Sequence, residues 1–310
     1  MAKHPGLQEY ARLDNLQVVV RENTPFLPKV AFTLITLASL AGASFTGSGM
    51  GLGAGGLLMR WLTLWSLALA GGFLAWRLFY LREREADTDP DKVERLHATT
   101  FARADLVARW VGVLVVLGAP GALVVPYLAD RPLLRTVLVA GGVVIGALLG
   151  LGVRARIPAL VAALLILGML IGWAYVDTGG GWPGAVRLLH LSAFTLWLGG
   201  ALWNIAVAMP AGREHPNVDA VLAEANQLDR FRWVVRFALP TIIVTGVVMA
   251  WGYTVMPLQW WLAVPGILIP LKVLAIVALV VVFITCPLFR HCSPVQGVCN
   301  IDDLEEQNSP

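Results

Sequence analysis

The chain has 310 residues, of which 57% are hydrophobic and 14% are charged, and its mean hydropathy is +0.72. A soluble domain carries about 25% charged residues, so this chain has too little polar surface to cover a water-soluble globule. The charged residues cluster in a few loops between long uncharged runs, which is typical of a membrane protein. The net charge of +3 gives no indication of a nucleic-acid partner.

Eight apolar segments are long enough to cross a bilayer, because about 20 helical residues span its hydrocarbon core. A polar segment, residues 1–28, precedes them and is predicted to be a retained cytoplasmic segment, because a signal peptide places its apolar run nearer the start. We therefore predict an all-α fold with the lipid bilayer as its surroundings. The predicted spans are residues 30–48, 57–77, 106–128, 134–153, 157–176, 185–209, 234–253 and 263–286.

The distribution of arginine and lysine predicts the orientation of these spans, since cytoplasmic loops are enriched in both. The basic loops follow spans two, four and six, and Arg60 and Arg135 are the exceptions on the predicted outer side. An even number of spans then places both termini in the cytoplasm, as in a multi-pass protein of the bacterial inner membrane. The basic residues of these loops are Arg82, Arg84, Lys92, Arg95, Arg103, Arg154, Arg156, Arg213, Arg230 and Arg232.

His190 is the one histidine of five that falls inside a predicted span. At helical spacing it shares a face with Phe194, Trp197, Ala201 and Asn204. A face with imidazole, indole and amide groups is expected to point into the helix bundle and away from lipid. His190 is therefore predicted to be either a hydrogen-bonded packing residue or a ligand or proton-handling group.

Lys272 lies within the last predicted span, where a charged side chain costs about 2.5–3.5 kcal/mol. Such a lysine usually faces a charge partner or a water-filled cavity. In the seventh span Thr241, Thr245 and Met249 recur every four residues, which places two hydroxyls and a thioether on one helical stripe. The hydroxyls are expected to form hydrogen bonds between helices or, alternatively, to line a site.

Three ordered stretches, LLHLSAFTLWLGGALWN, FRWVVRFALPTIIVTGVVMAW and PGILIPLKVLAIVALVVV, resemble the copper-resistance protein D family of bacterial membrane proteins. The similarity covers about residues 185–290. It divides the chain into transmembrane helices 1–5 over residues 29–176 and a copper-resistance-D-like helical region over residues 177–287. The resemblance points to His190, Trp197, Gly199, Gly200, Thr245, Gly246 and Lys272.

This resemblance implies copper handling, either import across the inner membrane or exchange with a periplasmic copper carrier. Copper(I) prefers imidazole and sulfur ligands, which here would be His190 and Met249. Trp197 and Thr245 would line the site, and Lys272 would supply a buried charge.

Two alternatives remain open at this stage. In the first, His190 is an axial ligand of heme b and Lys272 pairs with a propionate or quinone oxygen, in a quinone-side membrane subunit of a redox complex. In the second, the chain is a non-catalytic accessory subunit that packs on a larger membrane complex. No nucleotide-binding, serine-hydrolase or zinc-protease pattern occurs, so a transport or subunit role is expected rather than an enzyme.

The C-terminal residues 288–310 are predicted to form a cytoplasmic tail. Cys286, Cys292 and Cys299 lie in or beside it, and His291 lies among them. Their spacing does not match the usual zinc or iron–sulfur patterns, so free thiols are expected rather than a soft-metal site.

Overall fold

The computed structural model describes residues 26–85, 88–215 and 217–285, and within these ranges it contains helices and no β-strand. The all-α prediction is confirmed for this part of the chain. Most of the predicted N-terminal segment, and Cys286, Cys292 and Cys299, lie outside the described residues. The α-helices are α1 (Phe26–Gly49), α2 (Ala54–Ala75), α3 (Pro90–Gly118), α4 (Pro132–Gly150), α5 (Arg156–Thr178), α6 (Gly181–Trp203), α7 (Met209–Glu214), α8 (Val218–Ala250), α9 (Leu258–Trp261) and α10 (Leu268–Thr285). Two π-helical segments, Trp76–Tyr80 and Asn204–Ala208, extend α2 and α6.

Six helical stretches of the described residues are long and apolar enough to cross a membrane, which supports a membrane protein. They correspond to predicted spans one, two and four to seven. The eight-span count and the cytoplasmic position of both termini stay predictions. The six stretches are Lys29–Gly49, Ala54–Tyr80, Pro132–Gly150, Arg156–Thr178, Gly181–Glu214 and Val218–Tyr253.

The other two predicted spans differ from the helices found at those positions. In place of one helix over residues 106–128, α3 ends at Gly118 and two short 3-10 turns follow, Ala119–Ala122 and Pro126–Leu128. Each turn has a proline in its first residues, and proline cannot donate the hydrogen bond that would continue an α-helix. The last apolar helix, Leu268–Val282 within the described residues, is shorter than the six stretches above.

The central helix of the bundle is α2, which packs against α1, α3, α5 and α6. Its side chains are apolar around most of the helix, and Leu67, Phe73, Leu74 and Trp76 are almost fully buried. A helix that is apolar on all sides is expected to be surrounded by other helices. This position of α2 brings α1, α5 and α6 around its N-terminal half, where the candidate site lies.

The closest helix crossing joins α2 to α6 at two glycines. A Cβ atom built on Gly72 would lie 2.1 Å from the carbonyl oxygen of Thr195, and one on Gly199 would lie 2.4 Å from the backbone nitrogen of Phe73. Any side chain at either position would therefore collide with the opposing backbone. Small residues at such crossings allow helices to pack closely in lipid.

The end of the bundle opposite the candidate site is held by ion pairs. Lys92 on α3 pairs with Asp219 on α8 at 3.0 Å, and Arg230 on α8 pairs with Glu85 in the segment before α3. His97 on α3 is buried there, and burial lowers the pKa of its imidazole. The charged segment before and within α3 thus packs onto this same chain.

We expect Gly72→Ala to destabilise the protein by about 1–3 kcal/mol, because the added methyl group overpacks the α2–α6 crossing. Thermal unfolding of the detergent-solubilised protein measures this effect. Gly168→Ala on α5 is the matched control, since no atom lies within 4 Å of the added Cβ there. Equal unfolding temperatures for the two variants would contradict the tight crossing.

Candidate binding site at one end of the helix bundle

A buried carboxylate binds two arginines at the end of the bundle where α2 and α6 begin and α5 ends. Arg60 on α2 donates to Asp177 on α5 through Nη2, with 2.6 Å between Nη2 and Oδ1. Arg187 on α6 donates to the other carboxylate oxygen through Nε and Nη2, each at 2.7 Å. The side chains of Arg60 and Asp177 are 0% and 2% exposed. One aspartate therefore ties three helices together.

Arg60 also connects this cluster to α1. Its Nη1 donates to the backbone oxygen of Ala43 at 3.1 Å. Its Nε atom is buried without a hydrogen-bond partner among the described residues. Several charge-assisted hydrogen bonds therefore fix four helices around Asp177. Such bonds are about twice as strong as neutral ones.

A cavity of about 70 Å³ begins beside this cluster and extends towards the middle of the bundle. Arg187, His190 and Lys272 are its charged or titratable lining residues. The walls come from α1, α2, α6, α8 and α10. The apolar and aromatic lining includes Ile35, Trp61, Leu64, Trp65, Phe194, Trp197, Leu239, Ile242, Ile276 and Leu279.

His190 is held in one orientation by α8. Its Nδ1 lies 2.9 Å from Oγ1 of Thr245, and this hydroxyl donates to the backbone oxygen of Thr241. Because the hydroxyl proton is used on that carbonyl, the Thr245 oxygen accepts from His190, which places the ring proton on Nδ1. The backbone of Ile242 is a further hydrogen-bond partner of the histidine, and the ring lines the cavity. With the ring proton on Nδ1, Nε2 carries a lone pair.

Lys272 reaches the cavity from α10 and is half-buried against α1. A Cβ atom built on Gly42 would lie 3.1 Å from its Nζ, so the glycine makes room for the ammonium group. Within the described ranges no carboxylate pairs with Lys272. Arg187, which also lines the cavity, acts on Lys272 with a charge of the same sign.

The structure brings several of the predicted site residues together. His190, Trp197 and Lys272 line the one cavity, and Thr245 contacts it through the His190 ring. Met249, the predicted thioether ligand, is half-buried on α8 and is not a lining residue of that cavity. The roles assigned to these residues stay predictions.

Sequence reasoning missed the two residues that organise this site, Arg60 and Asp177. Arg60 lies inside predicted span two and is an exception to the charge rule there, although an arginine inside a span is itself a signal of a buried partner. Asp177 follows predicted span five directly and lies outside the predicted spans. Trp61 and Trp65, which stack at 5.3 Å between ring centroids, were also missed as lining residues.

No protein-family model matches the chain, and no curated protein or solved structure matches it either. The similarity to the copper-resistance protein D family therefore rests on the quoted residues, and the copper role that it implies stays a prediction.

Neither predicted cofactor fits the lining of the cavity well. The described residues contain no group of three or more histidine, cysteine, aspartate or glutamate side chains that could hold a metal ion. A copper ion on His190 would also face the positive charges of Arg187 and Lys272. A heme is too large, because a cavity of about 70 Å³ is smaller than the roughly 150 Å³ that admits benzene.

We expect Asp177→Asn to destabilise the protein by about 3–5 kcal/mol, because it leaves two buried guanidinium groups without a counter-charge. The yield of folded protein and its thermal unfolding temperature measure this loss. Asp130→Asn is the matched control, since Asp130 is exposed. A variant at position 177 as stable as this control would show that the buried cluster contributes nothing to the fold.

Proposed function

We propose that this chain is an integral membrane protein that binds the anionic head group of an amphipathic molecule in the cavity between α1, α2, α6, α8 and α10. The observation that carries this proposal is the surplus of positive charge around the cavity. Arg60 and Arg187 share the single carboxylate of Asp177, and Lys272 pairs with none among the described residues. A negatively charged occupant would compensate the surplus.

The energetic argument is that unpaired charge is costly in a low-dielectric environment. Charged groups within membrane-spanning helices almost always pair with one another or face water. Lys272 lies within the electrostatic influence of Arg187, although Coulomb repulsion between their like charges opposes this arrangement. An anion bound between Lys272 and Arg187 turns that repulsion into attraction for both groups.

The cavity also has the polarity of an amphiphile. Its charged or titratable lining residues, Arg187, His190 and Lys272, lie near the start of α6 and α10. Further along the same helices the lining becomes apolar, with Trp197 on α6 and Ile276 and Leu279 on α10. A head group at the polar end would place the first part of its hydrocarbon chain against these apolar side chains. The cavity of about 70 Å³ is too small for a whole chain, so the rest would lie in the surrounding lipid.

We further propose that the protein lies in the bacterial inner membrane with eight crossings and cytoplasmic termini. The distribution of arginine and lysine supports this orientation, because the loops after spans two, four and six carry most of these residues. In this arrangement the cavity lies in the outer half of the bilayer. The head group would then be taken from the outer leaflet.

We expect Lys272→Met to weaken the binding of an anionic amphiphile at least tenfold, because it removes the unpaired charge while keeping a side chain of similar length. The experiment uses the full chain in phosphatidylcholine nanodiscs doped with oleate or with dioleoyl phosphatidic acid. Native mass spectrometry then counts bound ligand per protein.

The control is Lys29→Met, which removes an exposed lysine at the start of α1. It should bind like the unaltered protein. If the unaltered protein prefers neither anionic amphiphile over neutral dioleoylglycerol, the proposed function is wrong, and the accessory-subunit alternative becomes the stronger one.

A further inference from the structure

Resting on the proposed function, we infer that the head group is a phosphate monoester carried on a lipid chain, held by Arg187, Lys272 and the Nε2 atom of His190. The three groups reach the cavity from two helices and face the same space. A phosphate monoester has three terminal oxygens and is therefore matched by three polar partners. A carboxylate offers two oxygens, and a phosphodiester offers two that are not bridging.

The charge balance favours an anionic head group. Two arginines and one lysine against one aspartate leave a surplus of two positive charges. A phosphate monoester carries about −1.5 to −2 near neutral pH, and the form that keeps one proton carries −1, as a carboxylate or a phosphodiester does. The charge therefore selects an anion, and the number of terminal oxygens and the retained proton select the monoester.

His190 provides the discrimination because its ring is locked. Thr245 accepts from Nδ1, so Nε2 faces the occupant as a hydrogen-bond acceptor. Of the three anions, the monoester alone has a terminal oxygen that carries a proton near neutral pH, since its second ionisation lies close to pH 6. The proton between Nε2 and that oxygen completes a hydrogen bond which a carboxylate anion or a phosphodiester cannot supply.

The apolar half of the cavity identifies the source of the phosphate. Free phosphate is strongly hydrated and gains nothing from Ile35, Ile276 and Leu279, which line the cavity away from the charged groups. A lipid chain buries apolar surface against them, at about 25 cal/mol per Å². Lipid phosphate is therefore favoured over inorganic phosphate.

The test compares four probes on the full chain in phosphatidylcholine nanodiscs: dioleoyl phosphatidic acid, dioleoyl phosphatidylglycerol, oleate and inorganic phosphate. We expect phosphatidic acid to bind at least tenfold more tightly than phosphatidylglycerol and oleate. Equal affinities for these three lipids would overturn the monoester inference and leave the proposed function standing. If inorganic phosphate displaces phosphatidic acid at equal concentration, the lipid source is overturned. Absence of binding by all four probes would overturn both proposals.

The role of His190 is tested by the ratio of affinities for phosphatidic acid and phosphatidylglycerol. His190→Phe is expected to reduce this ratio to near one, because it removes Nε2 while Arg187 and Lys272 can still bind either phosphate. Thr245→Val keeps the histidine but frees its ring, and it is expected to reduce the ratio in part. The matched control is Thr33→Val, because Thr33 is an exposed helical threonine whose hydroxyl also donates to the carbonyl four residues earlier. A ratio unchanged in both site variants would contradict the inference.

Discussion

The carboxylate of Asp177 is the constraint on which the rest of this structure depends. It receives hydrogen bonds from Arg60 and Arg187, and through them it fixes the relative positions of α2, α5 and α6. Arg60 extends the same network to the backbone of α1. Because buried charges are tolerated only when paired, these helices cannot separate at this end without exposing a guanidinium group to lipid. The α1, α2 and α6 walls of the cavity are held in place in this way.

The proposed function rests on the sign of the charge in the cavity. A site for a copper cation would be expected to present thioether or thiolate groups and few positive charges. The cavity instead presents an arginine and a lysine, and its aromatic walls leave room for a small head group rather than a macrocycle. The acidic amphiphile that we propose would match the charge of the cavity and, with its head group, the size and polarity. The excess of positive charge around the cavity therefore supports the proposed function more directly than the single histidine does.

Much of the fold could be predicted because hydropathy depends only on local sequence. The six long apolar helices, and the inward-facing surface with His190 and Trp197, follow from helical periodicity. The pairing of Arg60 with Asp177 could not be predicted, since it joins residues on helices whose order in the bundle the sequence does not contain. The end of α3 at Gly118 was missed because an apolar run can continue through prolines that break the helix. For His190 and Lys272 the residue types were informative, whereas their shared cavity required the tertiary structure.

The contact between Gly72 and Gly199 limits which of the helices around the cavity can change position. The backbones of α2 and α6 are in direct contact at that crossing, so no side chain there can rearrange to change the distance between the two helices. The opposite wall is different, because α10 packs chiefly on α1. Any change in the width of the cavity is therefore expected first at α10, which takes no part in the Asp177 network of the described residues.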